Sequence, residues 1–171
     1  MESATAPATD GAAVAGHGHG DDERPLGAYA ALTAGFAVTA AGGLAAARVK
    51  GISVQERIGG WEIVTAGVAS QRVSRHLTRS KTTSFVRAPF TRPRGASGGG
   101  EVDEIARGTG LRRALGELLT CPYCIGTWVS AAFVIGLIVA PRPTRLLAAL
   151  FTIESLADFA QLAYGAARRR T

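Results

Sequence analysis

A run of 24 residues without a charged side chain, Leu118–Pro141, constrains this chain more than any other feature of its sequence. A helix needs about 20 mostly apolar residues to cross the hydrocarbon core of a bilayer. The second half of the run, Trp128–Ala140, is the most hydrophobic stretch of the chain. The run therefore predicts a membrane-spanning helix and favours a membrane protein over a soluble domain.

Two more apolar segments have similar lengths. Residues 25–48 contain 23 consecutive uncharged positions and predict a first transmembrane helix. Residues 146–167 are mostly apolar and end at three arginines. A short turn over 141–145 makes the last two apolar segments an antiparallel hairpin. The C-terminal unit, residues 111–168, thus combines a short amphipathic lead-in helix with a transmembrane hairpin.

The other segments are more polar. Residues 1–24 contain five acids and no apolar run, which predicts a disordered acidic tail rather than a cleavable signal peptide. Residues 52–79 predict an amphipathic or partly inserted helix, since their uncharged part, 63–71, is too short to span alone. Residues 80–110, rich in glycine, proline and arginine, predict an irregular cytoplasmic loop.

These segments predict an all-α integral membrane protein with about three spanning helices plus one amphipathic or half-inserted helix. The net charge is +6, and the positive residues flank the apolar segments. Because cytoplasmic loops carry an excess of lysine and arginine, the expected location is the cell membrane, multi-pass. With three spans the N-terminus is expected outside and the C-terminus in the cytoplasm. If residues 61–77 also span, the number of crossings becomes four, an even number, and the two termini lie on the same side.

The two cysteines of the chain form a C-x-x-C motif, Cys121-Pro122-Tyr123-Cys124. One interpretation is a redox dithiol at a helix N-terminus, as in the similar motif of glutaredoxins, although no βαβ unit surrounds it. A second is half of a zinc site, with Glu117 as a nearby acid; zinc needs four ligands. A third is the packing of two small, soft side chains. The expected cofactor is therefore zinc or none.

Glu154, Asp158 and Gln161 share one helix face, because their spacings are four and three residues. Ionised side chains within a membrane segment are costly and usually point into a helix bundle. One interpretation is a proton or cation site. The favoured one is a buried ion pair that fixes helix packing, with Arg72 or Arg75 as the partner.

No phosphate-binding glycine loop, metalloprotease motif or nucleophile elbow occurs in the chain, which favours a non-enzymatic protein. The arginine-rich stretch 72–94 is typical of a positive-inside loop near anionic head groups. The expected partners are therefore the lipid bilayer and either a second copy of the chain or another membrane protein. No nucleic-acid partner is expected.

Two stretches, Ser74–Arg92 and Gly110–Ser130, resemble the bacterial membrane-protein family catalogued as domain of unknown function number 1360. The resemblance covers residues 55–168 and includes RAPF (Arg87–Phe90) and GELLTCPYCIGTWV (Gly116–Val129). It implies an integral membrane location and no known activity; some members in spore formers carry a sporulation label. The positions that match its hallmark are Gly116, Glu117, Cys121, Cys124, Gly126 and Trp128.

The sequence as a whole predicts a small integral membrane protein of unknown biochemical role, of a structural or interaction type. The alternative is a membrane-bound thiol-redox or metal-binding protein that acts through Cys121 and Cys124. A third class is a proton- or cation-coupled membrane component that uses Glu154 and Asp158.

Overall fold

The fold is described here from a computed structural model over residues 25–52 and 58–170; the predicted acidic tail, residues 1–24, lies outside these residues. Within them, six α-helices and two β-strands follow one another, with a single 3-10 turn after the second helix. In chain order the elements are α1 (Leu26–Val49), α2 (Gly60–Arg79), α3 (Ser84–Arg87), β1 (Thr91–Gly98), β2 (Glu101–Ala106), α4 (Gly110–Thr120), α5 (Pro122–Val139) and α6 (Pro141–Arg168).

Three of the described helices, α1, α5 and α6, are long and apolar enough to cross a membrane. They coincide with the three apolar segments of the sequence, so the prediction of three helices with the length and apolar character of membrane spans is confirmed. The expected turn over 141–145 is wrong, because α6 already begins at Pro141 and only Ala140 separates it from α5. Proline is well tolerated in the first turn of a helix, where its missing N–H has no helical partner.

The core of the helical part lies where α2 packs against α5 and α6. The buried face of α2 is made of small side chains, which allow the neighbouring helices to approach closely. These side chains are Ala66, Ala69, Ser70, Ser74 and Thr78. Phe133 and Leu137 from α5 and Ala148 from α6 complete the buried core.

Polar contacts show that α2 and α6 run in the same direction. At the beginning of both helices, Arg145 Nη2 lies 3.2 Å from Glu62 Oε1. Further along, Thr152 Oγ1 donates a hydrogen bond of 3.0 Å to the carbonyl oxygen of Thr65. Beyond that, Arg72 binds two carboxylates of α6. Since the residue numbers of the partners rise together, the two helices are parallel.

The helices α1 and α5 are also parallel to each other. The rings of Phe36 and Trp128 meet edge to face with their centroids 5.3 Å apart. Further along both helices, a Cβ atom at Gly43 would lie 2.7 Å from the side chain of Ile135. The absence of a side chain at Gly43 therefore permits this close contact, and again the numbers of the partners rise together.

The strands β1 and β2 form an antiparallel hairpin with two irregularities in register. Gly99 and Gly100 make the turn with positive φ angles of 48° and 84°, a conformation that glycine adopts without strain. The all-α prediction is thus inexact, and residues 91–106 are not an irregular loop. The strands lack the apolar alternation from which a sheet is usually predicted, and side-chain ion pairs hold the hairpin instead.

Those ion pairs join β2 to α2 and α3. Three arginines that precede the hairpin bind three acids of β2, so the hairpin is tied to the C-terminal end of α2. The pairs are Arg75 Nε–Glu101 Oε1 (2.7 Å), Arg79 Nη1–Asp103 Oδ1 (2.6 Å) and Arg87 Nε–Glu104 Oε2 (3.0 Å).

Candidate functional site

The C-x-x-C motif occupies the junction between α4 and α5. Cys121 separates the two helices, and its extended backbone is typical of the residue that caps a helix N-terminus. Its Sγ accepts a hydrogen bond of 3.2 Å from the backbone N–H of Cys124. Both cysteines are free thiols; Cys121 is half-buried and Cys124 is exposed. Pro122 takes the first position of α5, where proline favours helix initiation.

Both cysteines line a cavity of about 500 Å³ between α1, α4 and α5. Its wall is largely apolar, with Leu32 and Phe36 from α1 and Trp128 from α5. Trp128 lies close to α1, because a Cβ atom at Gly35 would lie 3.9 Å from the indole ring. The motif thus forms one end of an apolar cavity.

Glu117, the acid one turn before the motif, is held by two neighbours. It accepts a short hydrogen bond from the hydroxyl of Tyr29 on α1 and one of 3.0 Å from Arg113 Nε. Both of its carboxylate oxygens therefore have protein donors. Among residues 25–52 and 58–170, no group of three His, Cys, Asp or Glu side chains is placed to hold a metal ion. A zinc site at Cys121 would need ligands from elsewhere, since structural zinc takes four.

The two glycines of the hallmark allow other elements to approach α4 and α5. A Cβ atom at Gly116 would lie 2.5 Å from the carbonyl oxygen of Phe90 and 2.8 Å from the Cβ of Ala106. At Gly126 a Cβ atom would lie 3.5 Å from Ser74 Oγ on α2, an ordinary contact. Gly116 therefore lets the hairpin pack on α4, and Gly126 faces α2.

The predicted polar cluster lies between α2 and α6. Arg72 Nη2 donates a hydrogen bond of 2.8 Å to Glu154 Oε1, and Nη1 makes a shorter one to Asp158. Its Nε is buried without a partner among the described residues. Gln161 makes no hydrogen bond to the other members of this cluster, but it lines a cavity of about 560 Å³ together with Arg72 and Asp158. Arg75, the other candidate partner, binds the hairpin instead.

Arg87, in the RAPF stretch, has a structural role that sequence reasoning missed. Its side chain is fully buried, although the sequence placed it in a cytoplasmic loop. It donates to the carbonyl oxygens of Leu77 and Ser80, at 2.5 and 3.0 Å, and to both carboxylate oxygens of Glu104. It thus joins the end of α2, the following turn and β2. The resemblance to RAPF was its one sequence signal.

Glu104 is the acid at the centre of this arrangement. Burial favours the protonated form, but hydrogen bonds from Arg87 and from Thr91 Oγ1, the latter 2.7 Å long, favour the carboxylate. The hydrogen bonds outweigh burial, so the pKa of Glu104 is lowered from its ordinary value. The carboxylate therefore stays charged at neutral pH and holds β2 against α3.

Each of the seven acids in the described part of the chain contacts an arginine. Paired in this way, the acids stabilise the arrangement of the elements. The pairs are Glu62–Arg145, Glu101–Arg75, Asp103–Arg79, Glu104–Arg87, Glu117–Arg113, and Glu154 and Asp158 with Arg72.

Comparison with known proteins gives a family and one curated relative. The sequence profile of the family described as "Protein of unknown function (DUF1360)" matches residues 65–164. The sporulation protein YjcA of Bacillus subtilis (strain 168) is 31% identical over 103 residues, which cover 58% of this chain and 87% of that protein. No solved structure matches the chain.

Proposed function

The chain belongs to the DUF1360 family of proteins of unknown function, and from that premise we propose that it is a structural or interaction-type integral membrane protein. The proposal rests on the observation that every described acid is paired with an arginine. A general acid or base needs access to its substrate, whereas these acids hold helices and strands together.

We also propose that the chain crosses the membrane four times. If α1, α5 and α6 alone crossed, α1 and α5 would run in opposite directions, because the chain would stay on one side between them. Their parallel contacts at Phe36–Trp128 and Gly43–Ile135 favour a return crossing between them. Only α2 lies there with enough length among the described residues: its 20 residues span about 30 Å, the thickness of the hydrocarbon core.

The packing of α2 explains how so polar a helix is accommodated. Its beginning is level with the α5–α6 connection, through Glu62 and Arg145, and its end is level with the start of α5. Arg72 points to the carboxylates of α6 rather than to lipid. Charged side chains in membranes are tolerated when they face the bundle and are paired.

The charge distribution supports an orientation with the hairpin in the cytoplasm. Arg72 apart, twelve of the described bases lie at the end of the bundle that carries α3, the hairpin and α4, and four lie at the opposite end. The four are Arg48, Lys50, Arg142 and Arg145. Since lysine and arginine concentrate on the cytoplasmic side, we propose that both termini, the hairpin and α4 lie there.

Cysteine labelling tests the number of crossings. Lys50→Cys and Arg142→Cys would each be made in a Cys121→Ser, Cys124→Ser chain and treated with a membrane-impermeant maleimide in intact cells. With four crossings both positions lie on one side and are labelled alike. With three crossings they lie on opposite sides, so opposite labelling would refute the proposal. Arg94→Cys on β1 serves as the control for the hairpin side.

Complementation tests the class of function. In a strain that lacks the protein, the Cys121→Ser, Cys124→Ser chain is expected to restore the wild-type phenotype. Arg87→Ala, which disrupts the packing of α3 and the hairpin on α2, is not. Because the relative YjcA is named as a sporulation protein, sporulation is the first phenotype to score if the source organism forms spores. Failure of the Cys→Ser chain at normal protein levels would contradict the proposal.

A thiol function is the second candidate, and one observation favours it. Both thiols are free and line one cavity at the N-terminus of α5, where the Sγ of Cys121 accepts the N–H of Cys124. The test is labelling of the full-length protein from cells with and without reductant. Thiols that label only after reduction would favour exchange chemistry; free thiols under all growth conditions would oppose it.

A further inference from the structure

A second cavity adjoins the apolar one that the cysteines line. It has a volume of about 440 Å³, is largely polar, and lies between α4 and the hairpin. Glu117 lines both cavities: the apolar one extends from it towards α1 and α5, and the polar one towards β2. A polar and an apolar compartment therefore meet at one residue of α4.

The polar cavity carries an excess of positive charge. Of its two acids, Glu104 is bound by Arg87 and Glu117 by Arg113, so neither is left to neutralise another cation. Arg107, on the cavity wall, donates to the backbone carbonyl oxygens of Pro89 and Ala88 and contacts no described carboxylate.

Arg92 also lines the polar cavity. It is exposed and, like Arg107, contacts none of the acids in the described part of the chain. Two arginines on one cavity wall can bind the oxygens of a phosphate by charge-assisted hydrogen bonds. The chemistry of this wall therefore matches an anionic headgroup.

The apolar cavity lies where acyl chains would be. Its wall includes Leu32 and Phe36 of α1, Leu118 of α4 and Trp128 of α5. In the proposed topology α1 and α5, which are long and apolar enough to do so, cross the membrane, and this cavity would then extend from the edge of the bilayer into it. A bare phosphate ion would leave this compartment unused.

We infer that the two cavities together bind one anionic phospholipid, with its phosphate between Arg92 and Arg107 and an acyl chain against Trp128. Basic pockets at the cytoplasmic ends of membrane helices bind such lipids. The inference rests on the proposed membrane location of α1 and α5, but it does not depend on the number of crossings. It also places the C-x-x-C motif in the wall of the apolar cavity that would hold the acyl chain of the lipid.

Quenching of Trp128 by brominated lipid tests the site. The chain has two tryptophans, so Trp61→Phe leaves Trp128 as the one reporter. The full-length protein would be placed in phosphatidylcholine bilayers that contain increasing fractions of dibrominated phosphatidylglycerol or dibrominated phosphatidylcholine. Saturable quenching is expected at a mole fraction about fivefold or more lower for the anionic lipid.

Arginine variants identify the headgroup contact. Arg92→Ala is expected to raise the half-saturating fraction of the anionic lipid about fivefold, and Arg107→Ala by a similar factor. Arg94→Ala is the matched control, since Arg94 is an exposed arginine of the same strand outside both cavities. Circular dichroism checks that each variant is folded.

Three results would overturn the inference. Two are equal quenching by the two lipids, and quenching that is unchanged in the double variant with Arg92→Ala and Arg107→Ala. The third is removal of the anionic-lipid effect by inorganic phosphate at matched ionic strength. The last would identify a phosphate site rather than a lipid site. Because the measurement does not report on topology, its failure alongside equal labelling at Lys50 and Arg142 would remove only the lipid site.

Discussion

Arg87 and Glu104 bind each other through two hydrogen bonds, Nε to Oε2 and Nη2 to Oε1, each 3.0 Å long. The side chain of Arg87 is fully buried and that of Glu104 is 7% exposed. A bidentate pair of this kind orients both groups and satisfies them in the absence of water. Because Arg87 also binds the carbonyl oxygens of Leu77 and Ser80, one side chain fixes α3 and the hairpin, called the cap below, to α2.

Replacement of Arg87 is expected to destabilise the cap strongly. Arg87→Ala leaves the buried carboxylate of Glu104 without its cation, which typically costs about 3–5 kcal/mol. Arg87→Lys keeps the charge but loses the bidentate geometry, so it is expected to recover part of this loss. Limited proteolysis of the hairpin and denaturant unfolding of the purified protein measure the effect. Arg94→Ala is the control, and it is expected to be as resistant to proteolysis as the wild type.

The stability of the cap should depend on pH through Glu104. Its folded-state pKa lies below its ordinary value, so the carboxylate contributes stability that is complete above about pH 4.5 and is lost as the pH falls below that value. Glu104→Gln removes this contribution. The difference in melting temperature between wild type and Glu104→Gln is therefore expected to shrink from pH 7 to pH 3; a constant difference would contradict this account.

Removal of Arg72 should destabilise the packing of α2 on α6. Arg72→Ala leaves Glu154 and Asp158 without their cation and hydrogen-bond donor, at an expected cost of about 2 kcal/mol. If the cluster serves packing, the triple variant with Glu154→Gln and Asp158→Asn regains most of this stability, as measured by thermal unfolding in detergent. A triple variant as unstable as Arg72→Ala would argue against the pairing as the source of stability.

Replacement by alanine should change the stability of the protein in opposite directions at two helix glycines, Gly116 and Gly67. Gly116→Ala would place a Cβ atom 2.5 Å from the carbonyl oxygen of Phe90, so the hairpin must move, at about 1–3 kcal/mol. Gly67→Ala, in α2, meets nothing within 4 Å and is expected to be neutral or to stabilise by up to about 1 kcal/mol. Unfolding midpoints of the two variants check both, and equal effects would contradict the prediction.

The sequence was sufficient to predict the apolar helices. An uncharged run long enough to cross a bilayer has few alternatives, and α1 and α5 follow such runs closely. The last helix, α6, follows a mostly apolar segment that also contains Glu154 and Asp158. The helical character of α2 was also predictable from the spacing of its polar residues. Its place between α5 and α6 was not, because it depends on partners more than 70 residues away, such as Glu154.

The hairpin was not predictable from local pattern. β1 has the sequence TRPRGASG, which contains the glycine and proline that usually mark loops. Its stability comes from the pairing of Glu101, Asp103 and Glu104 with arginines that precede it. Such pairs join residues of opposite charge without any periodic signal, and the same arginines fit a simple positive-inside loop equally well.

The candidate site was predictable in composition but not in geometry. The C-x-x-C motif and Glu117 stood out by residue type, and the structure places them at one cavity. The hydrogen bond from Tyr29 to Glu117 joins residues 88 positions apart, and it brings α1 to the motif. No feature of the apolar segment 25–48 indicated which of its residues would meet α4.

The position of α2 among its neighbours has a consequence for biogenesis. In the four-crossing arrangement, the ribosome completes α2 before the two helices that shield its polar face, α5 and α6, exist. Arg72 then lacks Glu154 and Asp158, its partners in the finished protein. We therefore expect α2 to enter the membrane stably only once the C-terminal hairpin has been synthesised, and a chain that ends before α6 to be less stable in the membrane than the full chain.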